Sequence, residues 1–145
     1  MYKRCKNRCV AWILNVYTIW ILFNFIMRKK IIDKKILNLA FDTTNFGLKN
    51  KTKFYASHKN KKCGDKIKIE LEIKNKKVKK MYYETDGCIF CQASASLLST
   101  NIKNTLVKDL NDLVFSHKFK FLLSKKYISR RDCIMLPYQA LKKII

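Results

Sequence analysis

The sequence predicts an α+β domain in which a small antiparallel β-sheet packs against helices, and three observations carry that expectation. From Ile67 to Ile73 apolar and charged residues alternate with a period of two, the pattern of a strand with one buried and one solvated face. Asn75-Lys76-Lys77 supplies a turn, and Val78 to Thr85 reads as the returning strand of an antiparallel hairpin. On both sides of this hairpin the apolar residues recur at helical spacing instead. Helices and strands segregated along a chain in this way build α+β folds. A length of 145 residues allows one domain with a small core.

The N-terminus differs from the rest. Cys9 to Met27 is an unbroken uncharged run, flanked by Lys3, Arg4, Lys6 and Arg8 before it and Arg28, Lys29 and Lys30 after it. By length the run can span a bilayer. A cleaved signal is disfavoured because no small-x-small site follows the run. For an anchor, basic flanks on both sides leave orientation undecided, and Asn15 and Asn24 weaken the span. The favoured reading is that translation begins at Met27 and the preceding residues are upstream sequence read in frame, since a helix pattern starts directly after Met27. Residues 1–27 are therefore expected to stand apart from a domain formed by residues 28–145, and a membrane partner is not expected.

Within that domain Ile32, Ile36, Leu39 and Ala40 recur at helical spacing, so Ile31 to Phe41 reads as an amphipathic helix, ended by Thr43-Thr44-Asn45-Phe46-Gly47. Lys53 to Ser57 reads as a short strand before the hairpin. Asp86-Gly87 breaks the returning strand, and Cys88 opens a helix in which Cys91, Ala95, Leu98 and Ile102 share one face. Leu106 to Leu123 is expected to form one or two helices, with Leu110, Leu113, Val114 and Phe121 contributing to the core. A final helix is expected to carry Pro137 in its first turn, where a missing N–H does no harm, and Leu136, Ala140, Leu141 and Ile144 along one side. Tyr82, Tyr83, Phe115, Phe119 and Phe121 read as core or sheet-face aromatics.

Lys and Arg outnumber Asp and Glu by 32 to 10, for a formal net charge of +22. A balance of this size raises nucleic acid as a partner. Here Lys is scattered through every segment alongside Asn, Ile and Phe, as an AT-rich coding sequence would produce, and nucleic-acid binding is not expected. Four of the six cysteines sit in motifs, and no cleavable signal is evident. A secreted disulfide framework is disfavoured and a reducing compartment expected.

Those four cysteines carry the chemistry. Cys63-Gly64-Asp65 forms a turn before the long strand, Cys88 and Cys91 lie at a helix start, and Cys133 precedes the last helix. Unpaired N–H groups and the macrodipole at a helix start favour a thiolate, which is both a metal ligand and a sulfur nucleophile. Soft thiolates with one hard oxygen suit zinc or an iron–sulfur cluster, and the weaker oxygen donor eases release. A thioredoxin-like redox pair at Cys88 and Cys91 is the competing reading, but it leaves Cys63, Asp65 and Cys133 without a role. A structural zinc finger needs a second close cysteine pair, which the sequence lacks. Any one cysteine could be a small buried hydrophobe; four at turns or helix starts together argue otherwise. His58 and His117 read as surface residues.

C-G-D at Cys63 to Asp65, G-C-x-x-C-x-A-S-A-S-L-L from Gly87, and R-x-C-x-x-L-P-x-x-A-L from Arg131, in this order, resemble the NifU, IscU and SufU family of iron–sulfur cluster scaffolds. The resemblance covers nearly everything from Ile31 to the end. It implies a metal site at one tip of the domain, with Cys63, Asp65, Cys88 and Cys133 at the family's ligand positions and Cys91 an additional candidate. It further implies a transient cluster built from iron and from sulfur delivered as a persulfide by a cysteine desulfurase, with Cys63, Cys88 and Cys133 the candidate acceptors. The finished cluster would pass to apo iron–sulfur acceptor proteins in a bacterial cytoplasm. In that reading the chain is a carrier without turnover of a small-molecule substrate. The alternative is a SufU-like zinc-dependent sulfurtransferase in which the same residues hold zinc.

Three departures qualify the resemblance. Asp132 stands where IscU-type members carry a histidine before the last cysteine, the chaperone-binding L-P-P-V-K is absent, and the segment between Cys88 and Cys133 is short, unlike that of SufU. Cys91 and the L-P after Cys133 resemble a NifU-like subgroup. The exposed rim around the site is expected to include Lys61, Lys62, Arg130 and Arg131, a basic surface suited to an acidic donor.

Overall fold

A computed structural model describes residues 33–50, 52–113 and 118–145. From Lys34 onward they form one compact unit. The order is α1 (Lys34–Phe41), β1 (Phe54–Lys59), β2 (Lys66–Lys74), β3 (Lys77–Asp86), α2 (Ile89–Asn101), a 3-10 turn (Val107–Asp109) running into the single-turn α3 (Leu110–Leu113), a second 3-10 segment (Lys125–Arg130) and α4 (Arg131–Leu141). The expected α+β class holds. Ile31, Ile32, the apolar run Cys9 to Met27, Val114, Phe115 and His117 lie outside the described residues. Among the described residues no helix is long and apolar enough to cross a membrane.

The sheet is an antiparallel meander in the order β1-β2-β3. Ile69 of β2 faces Ala56 on one side and Tyr83 on the other, and Ile67, Ile69 and Leu71 are buried together with Val78, Met81 and Tyr83. The hairpin turn places Asn75 and Lys76 at φ 53° and 58°, the doubly left-handed backbone whose twist matches that of paired strands. One expectation needs correction, because the polar face of β2 is not fully solvated. Glu70 is buried, and its carboxylate accepts the backbone N–H groups of Lys49, Asn50 and Thr52 at 2.7, 2.9 and 3.1 Å. The segment before β1 crosses this face and needs those acceptors.

Helix α2 is the centre of the packing. Cys91, Ala95, Leu98 and Ile102 face the sheet and are buried with Leu136, Ala140 and Leu141 of α4. Ala93 faces Ile36 and Ala40 of α1 and Ile134 of α4 in a second cluster. The small residues in A-S-A-S let these neighbours approach closely, and Ser94 donates to the Ile134 carbonyl at 2.6 Å.

Of the helical expectations, one is met in short form and one is corrected. Among the described residues between Leu106 and Leu123 the chain forms the 3-10 turn and the single-turn α3, with turns at 118–123. The hairpin holds the entry to this stretch: Val78 N–H donates to Thr105 O at 3.0 Å, Asn104 N–H to Val78 O at 2.7 Å, and Val107 N–H to Lys76 O at 3.0 Å. These bonds dock the start of the segment on the hairpin and satisfy backbone groups that precede the first helical turn. Leu110 is still buried, while Phe119 and Leu122 fill core positions that Leu113 and Phe121 only partly occupy. The last helix starts at Arg131, so Pro137 lies inside it and Cys133 belongs to its first turn instead of preceding it. The buried stripe Cys133, Ile134, Leu136, Tyr138, Ala140 and Leu141 continues through the proline, and that burial outweighs one missing N–H bond to the Cys133 carbonyl.

Candidate metal centre

Three elements meet at one end of the sheet. The β1–β2 connection is closed by Asn60, whose N–H donates to Asp65 O at 2.8 Å and whose carbonyl accepts Gly64 N–H at 2.9 Å. Its side-chain oxygen accepts Lys62 N–H at 2.9 Å. Gly64 has φ +81°, a left-handed conformation that a side chain would resist. This tight loop exposes Cys63 and tucks Asp65 inward at 9% exposure.

Cys88 is the N-cap of α2, with extended backbone angles, and its N–H donates to Asp65 Oδ2 at 3.2 Å. Cys91, one turn later, points the other way. It is fully buried in the core, its Sγ lies 3.3 Å from Thr85 Oγ1, and burial pushes its thiol up to about 12. The expectation that the helix start would favour a thiolate at Cys91 is therefore corrected: desolvation against the sheet exceeds the dipole's pull. The same helical face that packs Ala95 and Leu98 inward carries Cys91 with it.

Cys133 enters from the first turn of α4. Its Sγ is 3.6 Å from Cys63 Sγ, and the donor atoms of Cys63, Asp65 and Cys133 all lie within 4.8 Å of one another. Cys88 is adjacent to this group without belonging to it. Burial acts to raise the Asp65 carboxyl, but the Cys88 N–H and the thiols of Cys88, Cys133 and Cys63 outweigh it and hold the carboxyl below its ordinary range. Desolvation raises the Cys133 thiol well above an ordinary cysteine, with the neighbouring thiols and Asp65 adding to the shift. Without metal, Cys133 thus keeps its proton at neutral pH while Asp65 is ionised.

Around this group Lys61, Lys62, Arg130 and Arg131 are all exposed. Lys62 is not simply a free rim charge, since its Nζ meets Asp132 Oδ2 at 2.7 Å, and that carboxylate raises the Lys62 ammonium. The pair joins the residues immediately before Cys63 and Cys133. Sequence reasoning noted Asp132 only as a missing histidine; the opposite charges at matching positions were the available signal. His58 is half-buried on β1 and lies outside the group.

A family model, the NifU-like N terminal domain, matches residues 31–145. The chain is 31% identical over 103 residues to the iron–sulfur cluster assembly scaffold protein IscU of Thermotoga maritima, covering 60% of this chain and 72% of that protein. Its fold is similar to a protein described as an iron–sulfur cluster assembly scaffold for the SUF system from Fervidobacterium islandicum AW-1. That match has a TM-score of 0.68 and 19% identity, over 78% of this chain and 95% of the other. It is also similar to a nitrogen-fixing NifU-like protein (N-terminal) from Brucella abortus, with a TM-score of 0.67 and 20% identity, over 77% of this chain and 90% of that one. Since the family model takes in every described strand and helix and all three cysteine motifs, the chain belongs to the NifU-like N terminal domain family of iron–sulfur cluster assembly scaffolds.

Proposed function

We propose that this domain assembles an iron–sulfur cluster as cargo, with Cys63, Asp65, Cys88 and Cys133 as its ligands, and hands it to apo acceptor proteins. The observation that carries the reading is the convergence of donor atoms from a loop and a helix, distant in sequence, within 4.8 Å. Three thiolates hold the cargo firmly and the single carboxylate is the arm that lets go. Sulfur arrives from a cysteine desulfurase. One of Cys63, Cys88 or Cys133, as thiolate, attacks the outer sulfur of the donor persulfide; the donor S–S bond breaks, a new one forms on the acceptor, and the donor leaves as thiolate. The exposed Cys63 is the most accessible of the three.

A second reading, a zinc-dependent sulfurtransferase, is supported by one distance. The 3.6 Å between Cys63 and Cys133 sulfurs is close to the edge of a tetrahedral thiolate site, about 3.8 Å for metal–sulfur bonds of about 2.3 Å. The donor set suits a resident zinc as well as a cluster. Purification without oxygen, followed by metal analysis and an absorption spectrum, separates the two. Iron with acid-labile sulfide is expected; stoichiometric zinc that resists replacement by iron refutes the scaffold reading. Residues 1–26 are proposed to stand outside this chemistry, so a protein beginning at Met27 should show the same metal content.

A further inference from the structure

Gly87 differs from the other two glycines of the chain. Gly47 and Gly64 have φ +91° and +81° with open space where a side chain would go. Gly87 has no such backbone requirement, yet its missing Cβ is filled. A methyl group there would lie 3.0 Å from Asp65 Cγ, 3.1 Å from Asp65 Cβ and 3.3 Å from Asp65 Oδ2. All three nearest atoms belong to one side chain.

The backbone on either side of that contact is tied down. Its carbonyl is held by Asn60 N–H at 2.8 Å, and the next residue, Lys66, pairs with Asp86 directly before Gly87. The side chain is thereby wedged between the loop and the strand end, with Oδ2 on the Cys88 N–H at 3.2 Å. We infer that Gly87 is a positioning residue for Asp65: its bare backbone seats the carboxylate on the first residue of the α2 cap, so that one carboxylate serves both bound metal and the Cys88 N–H. The hydrogen bond draws charge from the shared carboxylate, which weakens the oxygen arm and favours release. This deepens the scaffold reading and rests on Asp65 being the oxygen ligand.

The test uses Gly87→Ala, Asp65→Ala and the double variant, in the full chain. In the apo protein, Gly87→Ala is expected to shift the Cys88 amide proton upfield and speed its exchange, as Asp65→Ala does, because both remove the same acceptor. With a cluster reconstituted on the protein, both single variants should lengthen its lifetime by about threefold or more, and the double variant should match Asp65→Ala alone, as expected for side chains acting through one contact. An unchanged Cys88 amide in Gly87→Ala, or a double variant with additive effects, overturns the inference. If both single variants move the amide but neither changes cluster lifetime, the seat stands and the ligand role of Asp65 falls. Should Gly87→Ala fold poorly, thermal stability is compared with and without Asp65→Gly, which removes all three contacting atoms. The cost of Gly87→Ala should then largely disappear, and a cost that persists refutes the contact.

Discussion

Asp65→Ala is expected to act with opposite signs on the apo and the loaded protein. In the apo protein the carboxylate accepts the Cys88 N–H at 3.2 Å, a hydrogen bond to a charged group worth about 1.5–3 kcal/mol when fully effective. Its place at the start of α2 adds about 0.3–1 kcal/mol, and partial desolvation of the charge subtracts from both. A net loss of about 1–2 kcal/mol follows, which for a domain of this size lowers the Tm by about 3–10 °C. Because the folded protein holds the Asp65 carboxyl below its ordinary value, this contribution is fully present above the unfolded carboxyl's pKa, about 4. It disappears as pH falls through the lower folded value. Thermal melts of both proteins at pH 7 and at pH 3 measure it directly. On the loaded protein the same change removes the labile donor, so the cluster should persist longer and reach an acceptor more slowly, followed by absorbance under anaerobic conditions. A variant equal or greater in apo stability at pH 7 refutes the seating of the carboxylate; faster cluster loss refutes its role as the release arm.

Cys63→Ser, Cys88→Ser and Cys133→Ser should each abolish stable metal binding by metal analysis, whereas Cys91→Ser should retain it and lose about 1–2 kcal/mol in a denaturant melt, because Cys91 is fully buried beside Thr85. Equal metal loss from Cys91→Ser would place that thiol among the ligands. Since burial keeps the Cys133 proton on at neutral pH, metal binding must release it, and the log of the zinc affinity should rise by about one unit per pH unit for this proton from neutral into the alkaline range; a flat calorimetric profile contradicts this. Glu70→Ala leaves three backbone donors without their acceptor and should cost about 2–4 kcal/mol while sparing metal stoichiometry. Charge reversal at Arg130 and Arg131 should slow sulfur transfer from a cysteine desulfurase most at low salt; equal rates at both salt levels would remove the rim from docking.

The sequence by itself determined the hairpin, the inward face of α2 and the four motif cysteines, because each depends on local periodicity or on residues within one turn. Ile67, Ile69 and Leu71 had to share a sheet face, and Cys91, Ala95, Leu98 and Ile102 a helix face, once those segments took up their regular backbone. Tertiary structure decided what depends on distant partners. The hairpin's hold on the backbone of residues 104–107 anchored the entry to the short α3, and core burial carried α4 back through Pro137 to Arg131, bringing Cys133 into its first turn. Glu70 kept an acceptor role on a face that alternation alone assigns to water. Between two cysteines one helical turn apart, only packing could choose: Cys88 is left at the open helix start beside Asp65, and Cys91 is drawn beneath the sheet, where desolvation holds its proton. The fit of Asp65 into the space over Gly87 is a contact across 22 residues of chain, and no local pattern encodes it.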